Sequence, residues 1–216
     1  QISFDHDVIK IYEDHDRMWR LAHEPTDGTK DDAKRLAARR IMHLASVDHR
    51  PPAPGPAPFL PPFRPLSMIL QVYDGDIDRA VAHYVATGEA RTDDERARCR
   101  QRAACVWRWI TDYAPDEFRY RIRDAPVVRP LSPDEALALG RLAAALQARP
   151  DLGEDDLVPV MKGLTEGTEL DNRAFLPVVY DLLLGREKGP KVTTLITTLG
   201  TQRALALLAP SLAARG

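Results

Sequence analysis

The chain has 216 residues, 44% of them hydrophobic and 29% charged, which suffices for one large or two small packed domains and excludes wholesale disorder. No run approaches the roughly 20 uncharged apolar residues of a membrane span, and residues 1–10 carry acids rather than a signal-type apolar stretch. The formal net charge of −2 offers an RNA or DNA partner no overall attraction, so any such site must rest on local basic patches.

The chain opens on Gln1 rather than Met, which points to a piece of a longer polypeptide. A first helix is expected over residues 7–22, where Val8, Ile11, Tyr12, His15, Met18, Trp19 and Ala22 recur at three- and four-residue intervals. Pro25 to Gly28 ends it. A second, highly charged helix is expected over residues 31–45, with Ala33, Leu36, Ala37, Ile41 and Leu44 as its core-facing stripe. Eight prolines then fall between Arg50 and Pro65, a density that predicts an extended connector and no helix. A strap packed between helical subdomains is the expected role, with a docking site for a proline-recognising domain as the alternative.

Short helices are expected over residues 66–73 and 77–87, and a longer one over 93–113. On the long helix Ala103, Val106, Trp107 and Ile110 form the expected buried side, which leaves Trp109 as an exposed platform. Residues 120–123 are the one strand-like stretch. Helical patterns return over 134–148, 155–167, 172–184 and 191–208, with Ser132 and Pro133 as a start signal and Gly185 as a stop signal. The absence of βα alternation excludes a nucleotide-binding sheet. The resulting expectation is an all-α fold, a helical bundle or cage of about eight to ten helices in two subdomains.

Catalytic chemistry is not visible. No glycine-rich phosphate loop and no Gly-x-Ser-x-Gly elbow occurs. The six histidines form no His-x-x-x-His pair, and His15 and His23 flanking Trp19 read as ordinary packing, so no metal site is expected. Cys99 and Cys105 are spaced for neither zinc nor a mutual disulfide and read as small helix residues of a reducing cytoplasm. Glu154, Asp155 and Asp156 open a helix, where negative charge offsets the helix dipole. No catalytic residue is assigned.

The tail carries the strongest pattern. From Ala174 it reads Ala-Phe-Leu-Pro-Val-Val-Tyr-Asp-Leu-Leu-Leu-Gly, then Arg-Glu-Lys-Gly-Pro-Lys-Val and a helix containing Leu199 and Gly200. With Gly185, Gly189 and Pro190 this resembles the terminal motif of class I lysyl-tRNA synthetases, and glutamyl-tRNA synthetases end with a similar turn and helix. Three further stretches resemble the lysine family in order. They are Ser3, Phe4 and Asp5 with Glu13 to Arg17; Pro62, Phe63, Arg64 and Leu66; and Tyr113 to Phe118. The ATP-binding motifs of that family's Rossmann domain are absent from this sequence.

The resemblance implies the helical, tRNA-anticodon-binding region that follows such a catalytic domain, with no cofactor of its own. In the full enzyme ATP and lysine would be consumed to lysylate tRNA, and the implied partners are tRNA(Lys) and the upstream Rossmann domain. It implies a segment over 1–50 that follows the catalytic domain, a connector over 51–65, a helical subdomain over 66–130 and an anticodon-binding cage over 131–216. The alternative is a non-catalytic helical paralogue serving as an RNA- or protein-interaction module.

The expected RNA-contacting turn comprises Arg186, Lys188, Gly189, Pro190, Lys191, Val192, Thr193 and Thr194. Its glycines permit close approach, its cations attract phosphate, and helix-start N–H groups and apolar surfaces can meet unstacked bases. Secondary candidates are Arg98, Arg102 and Trp109 on the arginine-rich helix, and Arg119 and Arg121 in the segment after it.

Overall fold

A computed structural model describes residues 7–46 and 50–213. Among the described residues every regular element is helical: α1 (Asp7–His23), α2 (Asp32–Ala45), α3 (Phe63–Val72), α4 (Ile77–Ala86), α5 (Asp93–Asp112), α6 (Pro133–Ala148), α7 (Glu154–Gly163), α8 (Asn172–Leu184), α9 (Val192–Leu199), α10 (Thr201–Leu208) and the short α11 (Pro210–Ala213). The all-α expectation holds. Two compact units result, Gln1–Arg119 and Tyr120–Gly216. Ser3, Phe4 and Asp5 of the resemblance, together with His6 and His49, lie outside the described residues.

In the first unit α1 and α2 pair through Ala22, Ala38 and Met42, with Met18, Trp19 and Leu21 packed around them. Arg39 donates from α2 to the carbonyls of Ala22 and Glu24 at 3.1 and 3.0 Å, supplying partners that the end of α1 lacks. The stripe expected to face the core does the opposite. Leu36, Ile41 and Leu44 are 53%, 49% and 68% exposed, and Ala33 and Ala37 are exposed beside them. The inward face is the one bearing the smaller Ala38 together with Met42, because close α1–α2 packing there is completed by the Arg39 caps.

The proline-rich connector is a packed strap. Pro58 accepts a hydrogen bond from Trp19 Nε1 at 3.0 Å, and the N–H of Phe59 donates to Glu95 Oε1 at 3.0 Å. It ends earlier than expected, since α3 begins at Phe63 with Pro62 as N-cap and Pro65 inside its first turn. Proline is tolerated there because first-turn N–H groups have no intrahelical acceptor.

Phe63, Leu66, Ile69 and Leu70 of α3 meet Ala80 and Tyr84 of α4 and Cys99, Ala103, Val106, Trp109 and Ile110 of α5 to form the core. A fully buried Leu or Phe side chain contributes roughly 1.5–3 kcal/mol. The N-terminus of α5 is fixed by a capping box in which Thr92 and Glu95 exchange hydrogen bonds. The two tryptophans of α5 reverse the expectation. Trp109 is 5% exposed, 5.3 Å from the ring of Phe63 and 4.9 Å from that of Phe118, in edge-on geometry. Trp107 is half-buried over the turn at Gly75.

In the second unit α6 opens on a Ser132–Glu135 capping box with Pro133 in its first turn. Leu139, Leu142 and Leu146 of α6 share a core with Phe175, Val179, Leu182 and Leu183 of α8 and with Leu207 and Leu208 of α10. Leu157 of α7 and Leu195 and Ile196 of α9 extend it. The expected strand over 120–123 is irregular chain. It runs along the end of α8, where the N–H of Arg123 donates to Leu183 O at 2.8 Å and its Nε to Asp181 O at 2.9 Å. The helix expected over 191–208 is two, broken at Gly200, whose φ of 89° and ψ of 139° no helix accommodates.

Candidate nucleic-acid interface

The turn between α8 and α9 is shaped by two glycines and a tyrosine. Gly185 ends α8 in the left-handed region (φ 71°), and its N–H donates to Asp181 O at 2.9 Å. Gly189 is required for space. A Cβ there would stand 2.7 Å from Leu184 Cδ1 and 2.8 Å from the ring of Tyr180. Tyr180 then ties the turn down, its hydroxyl donating to Pro190 O at 2.6 Å. Burial pushes the Tyr180 phenol above its ordinary range, which keeps it a donor.

The expected turn residues divide. Lys188, Gly189 and Lys191 are exposed, while Arg186, Pro190 and Thr194 are half-buried. Val192 and Thr193 are 6% and 4% exposed, so the apolar surface expected of Val192 and the base contact expected of Thr193 are corrected. The first turn of α9 aims both inward, in phase with Leu195 and Ile196.

The start of α9 is also not bare. Glu154, the first residue of α7, places Oε1 2.7 Å from Lys191 Nζ and 3.4 Å from Thr193 Oγ1, which donates to it. The hydrogen bond from Lys191 leads the effects that hold the Glu154 carboxyl below the usual carboxylate range, against a smaller opposing effect of burial. The loop ahead of α7 is anchored alongside. Thr201 Oγ1 donates to Pro150 O at 2.6 Å, and Arg149 pairs with Asp156 at 3.0 Å.

On α5 the expected phosphate track is largely an ion-pair lattice. Arg96 pairs with Asp93 at 2.9 Å, Arg100 with Asp78 at 2.8 Å and Arg108 with Asp112 at 3.4 Å. Arg102 is 8% exposed, pairs with Asp16 and lies 4.9 Å over the ring of Tyr12, so it is a core cation and not a phosphate contact. Trp109, buried between Phe63 and Phe118, offers no stacking face to a base. Arg98 is half-buried. Arg119 is exposed and donates from Nε to Ala114 O at 2.7 Å. Arg121 is exposed and 3.6 Å from Asp124.

Glu154 and Tyr180 escaped the sequence reading. Tyr180 faces its partner only because the turn doubles back over α8. Glu154 lies 37 positions from Lys191, and an acid opening a helix carries no mark of a second role. Among the described residues no group of acids, histidines or cysteines is arranged to hold a metal, and no helix is long and apolar enough to cross a membrane.

No protein-family model matches the chain. Over 204 residues, 94% of its length, it is 31% identical to a lysine–tRNA ligase of Treponema pallidum, of which that stretch is 37%. A lysine–tRNA ligase of Borrelia garinii subsp. bavariensis is 30% identical over 205 residues, again 94% of the chain and 37% of the ligase. One from Pyrococcus furiosus is 23% identical over 195 residues, 89% of the chain and 36% of the ligase. The chain thus spans a little over a third of the length of these curated relatives.

Proposed function

We propose that this chain, a homologue of part of the lysine–tRNA ligases along nearly its whole length, is the region of such an enzyme that binds the tRNA anticodon. The observation that carries the reading is the turn from Gly185 to Lys191. It is shaped by Gly189 and Tyr180, and it carries the exposed Lys188 together with the half-buried Arg186 and Pro190.

Anticodon bases are unstacked, and a reader of them needs cations for the backbone and flat or apolar surface for the bases. In this reading Arg186 and Lys188 meet phosphates and Pro190 and Thr194 meet bases. Arg98, Arg119 and Arg121 are secondary phosphate contacts in this reading, Arg119 already donating to Ala114 O and Arg121 facing Asp124. Adenylate formation from ATP and lysine, and transfer of the lysyl group to tRNA(Lys), belong to the remainder of the ligase. The helical region contributes the choice of tRNA.

Nuclease footprinting of a tRNA(Lys) transcript with the purified chain tests this. Protection should centre on the anticodon loop and weaken in an Arg186→Ala, Lys188→Ala double variant. Protection confined to the acceptor stem, or none at low salt, would overturn the reading.

A further inference from the structure

The anticodon-binding reading treats the start of α9 as part of an RNA-facing turn, yet an acid already sits there. Glu154 Oε1 lies 2.7 Å from Lys191 Nζ, and the Thr193 hydroxyl donates to the same oxygen. Glu154 opens α7 and Lys191 is the N-cap of α9, two helices that pack on each other. The Glu154 side chain is 36% exposed and that of Lys191 64%, so solvent and ligand can reach the pair. A lysine beside a helix N-terminus is the combination that attracts RNA phosphate. A carboxylate in that place satisfies the lysine, offsets the positive end of the helix dipole and repels an approaching phosphate.

We propose that Glu154 sets the strength of RNA binding by withholding Lys191 and the start of α9 from RNA phosphates, so that the turn engages RNA through fewer sequence-independent contacts. The proposal rests on the anticodon-binding reading. Sequence-independent affinity for nucleic acid comes from phosphate neutralisation, whereas base contacts discriminate. Silencing one cation therefore lowers affinity for every RNA by the same factor. The base contacts of the turn are left to decide which tRNA remains bound at working salt.

The experiment measures tRNA binding by filter retention across a salt series, with wild type, E154Q, K191A and the double variant. The probes are a tRNA(Lys) transcript and the same transcript with an altered anticodon. E154Q should bind both probes more tightly and steepen the slope of log affinity against log salt by ~0.7, one single-strand phosphate contact. K191A alone should leave the slope at the wild-type value. In the double variant the slope should return from the E154Q value to that of wild type.

A K191A slope flattened by ~0.7 in the wild-type background would mean that Lys191 already reaches phosphate, and would overturn the proposal. So would an E154Q protein, folded by circular dichroism, whose slope is unchanged. If E154Q does not fold, K191A alone decides by the same two outcomes. Wild type that binds neither probe at low salt would overturn the anticodon-binding reading and this proposal with it.

Discussion

Replacing Trp109 by Ala should cost the first unit far more stability than replacing Trp107. Trp109 is 5% exposed and is held edge-on against Phe63 at 5.3 Å and Phe118 at 4.9 Å. Truncating a buried aromatic costs ~3–5 kcal/mol, and each edge-on ring pair contributes ~0.5–1.5 kcal/mol beyond area. Trp107 is half-buried, its indole covering Gly75 so closely that a Cβ there would stand 2.2 Å from Cε2. Its loss should cost about half of that for a buried aromatic, ~1.5–2.5 kcal/mol. Urea denaturation followed by circular dichroism measures both. At unchanged m, the midpoint of W109A should fall at least twice as far as that of W107A. Equal shifts, or a larger one for W107A, would refute the packing of α5 described above.

Gly189→Ala should destabilise the second unit. Removing backbone freedom from the unfolded chain would add only about 0.4–1 kcal/mol of stability, while forcing a methyl against Tyr180 and Leu184 costs ~1–3 kcal/mol. A thermal melt at or above the wild-type midpoint would show that the turn gives way freely. Glu95 predicts an acid-sensitive strap. Hydrogen bonds from the N–H groups of Phe59, Thr92 and Arg91 depress its carboxyl to about 2. Its ordinary value is about 4.3. A depressed folded-state value means that its stabilisation is complete above the unfolded value and is lost as pH falls through that range towards 2. Stability of the wild type should therefore decline across this window, and E95Q, less stable at neutral pH, should decline less. Parallel pH profiles would remove Glu95 as the cause.

Helix positions were legible because capping signals and three- and four-residue spacing are local. Ser132 and Pro133 mark the start of α6 and Gly185 the end of α8. Which face of a helix is covered is not local. The apolar stripe of α2 exists as read, but Leu36, Ile41 and Leu44 face outward, and a helical wheel cannot say whether a partner is present. On α5 Ala103, Val106 and Ile110 are buried as the spacing predicts, but Arg102, which a wheel places in solvent, is buried by its pairing with Asp16 on α1, and Trp109 lies on its side of the helix.

At the candidate site the glycines and prolines were readable because they answer to backbone geometry within a few residues. The apolar spacing around Gly200 predicts one continuous helix, although the backbone at Gly200 lies outside helical space. The burial of Val192 and Thr193 is not legible in the sequence, because a helix start has no visible inside until α7 is packed against it. The Glu154–Lys191 pair depends on the same packing, so the electrostatics of the turn could not be read from its own residues.

Binding of tRNA(Lys) and of an anticodon-swapped tRNA(Lys), compared by anisotropy over a salt series, tests the central claim most directly. Wild type should favour the native anticodon at every salt concentration. The Arg186→Ala, Lys188→Ala variant should bind both more weakly, with the slope of log affinity against log salt reduced by about 1.4, two single-strand phosphate contacts. Equal affinity for the two tRNAs, with a slope that the double variant leaves unchanged, would contradict the assignment of this turn to the anticodon.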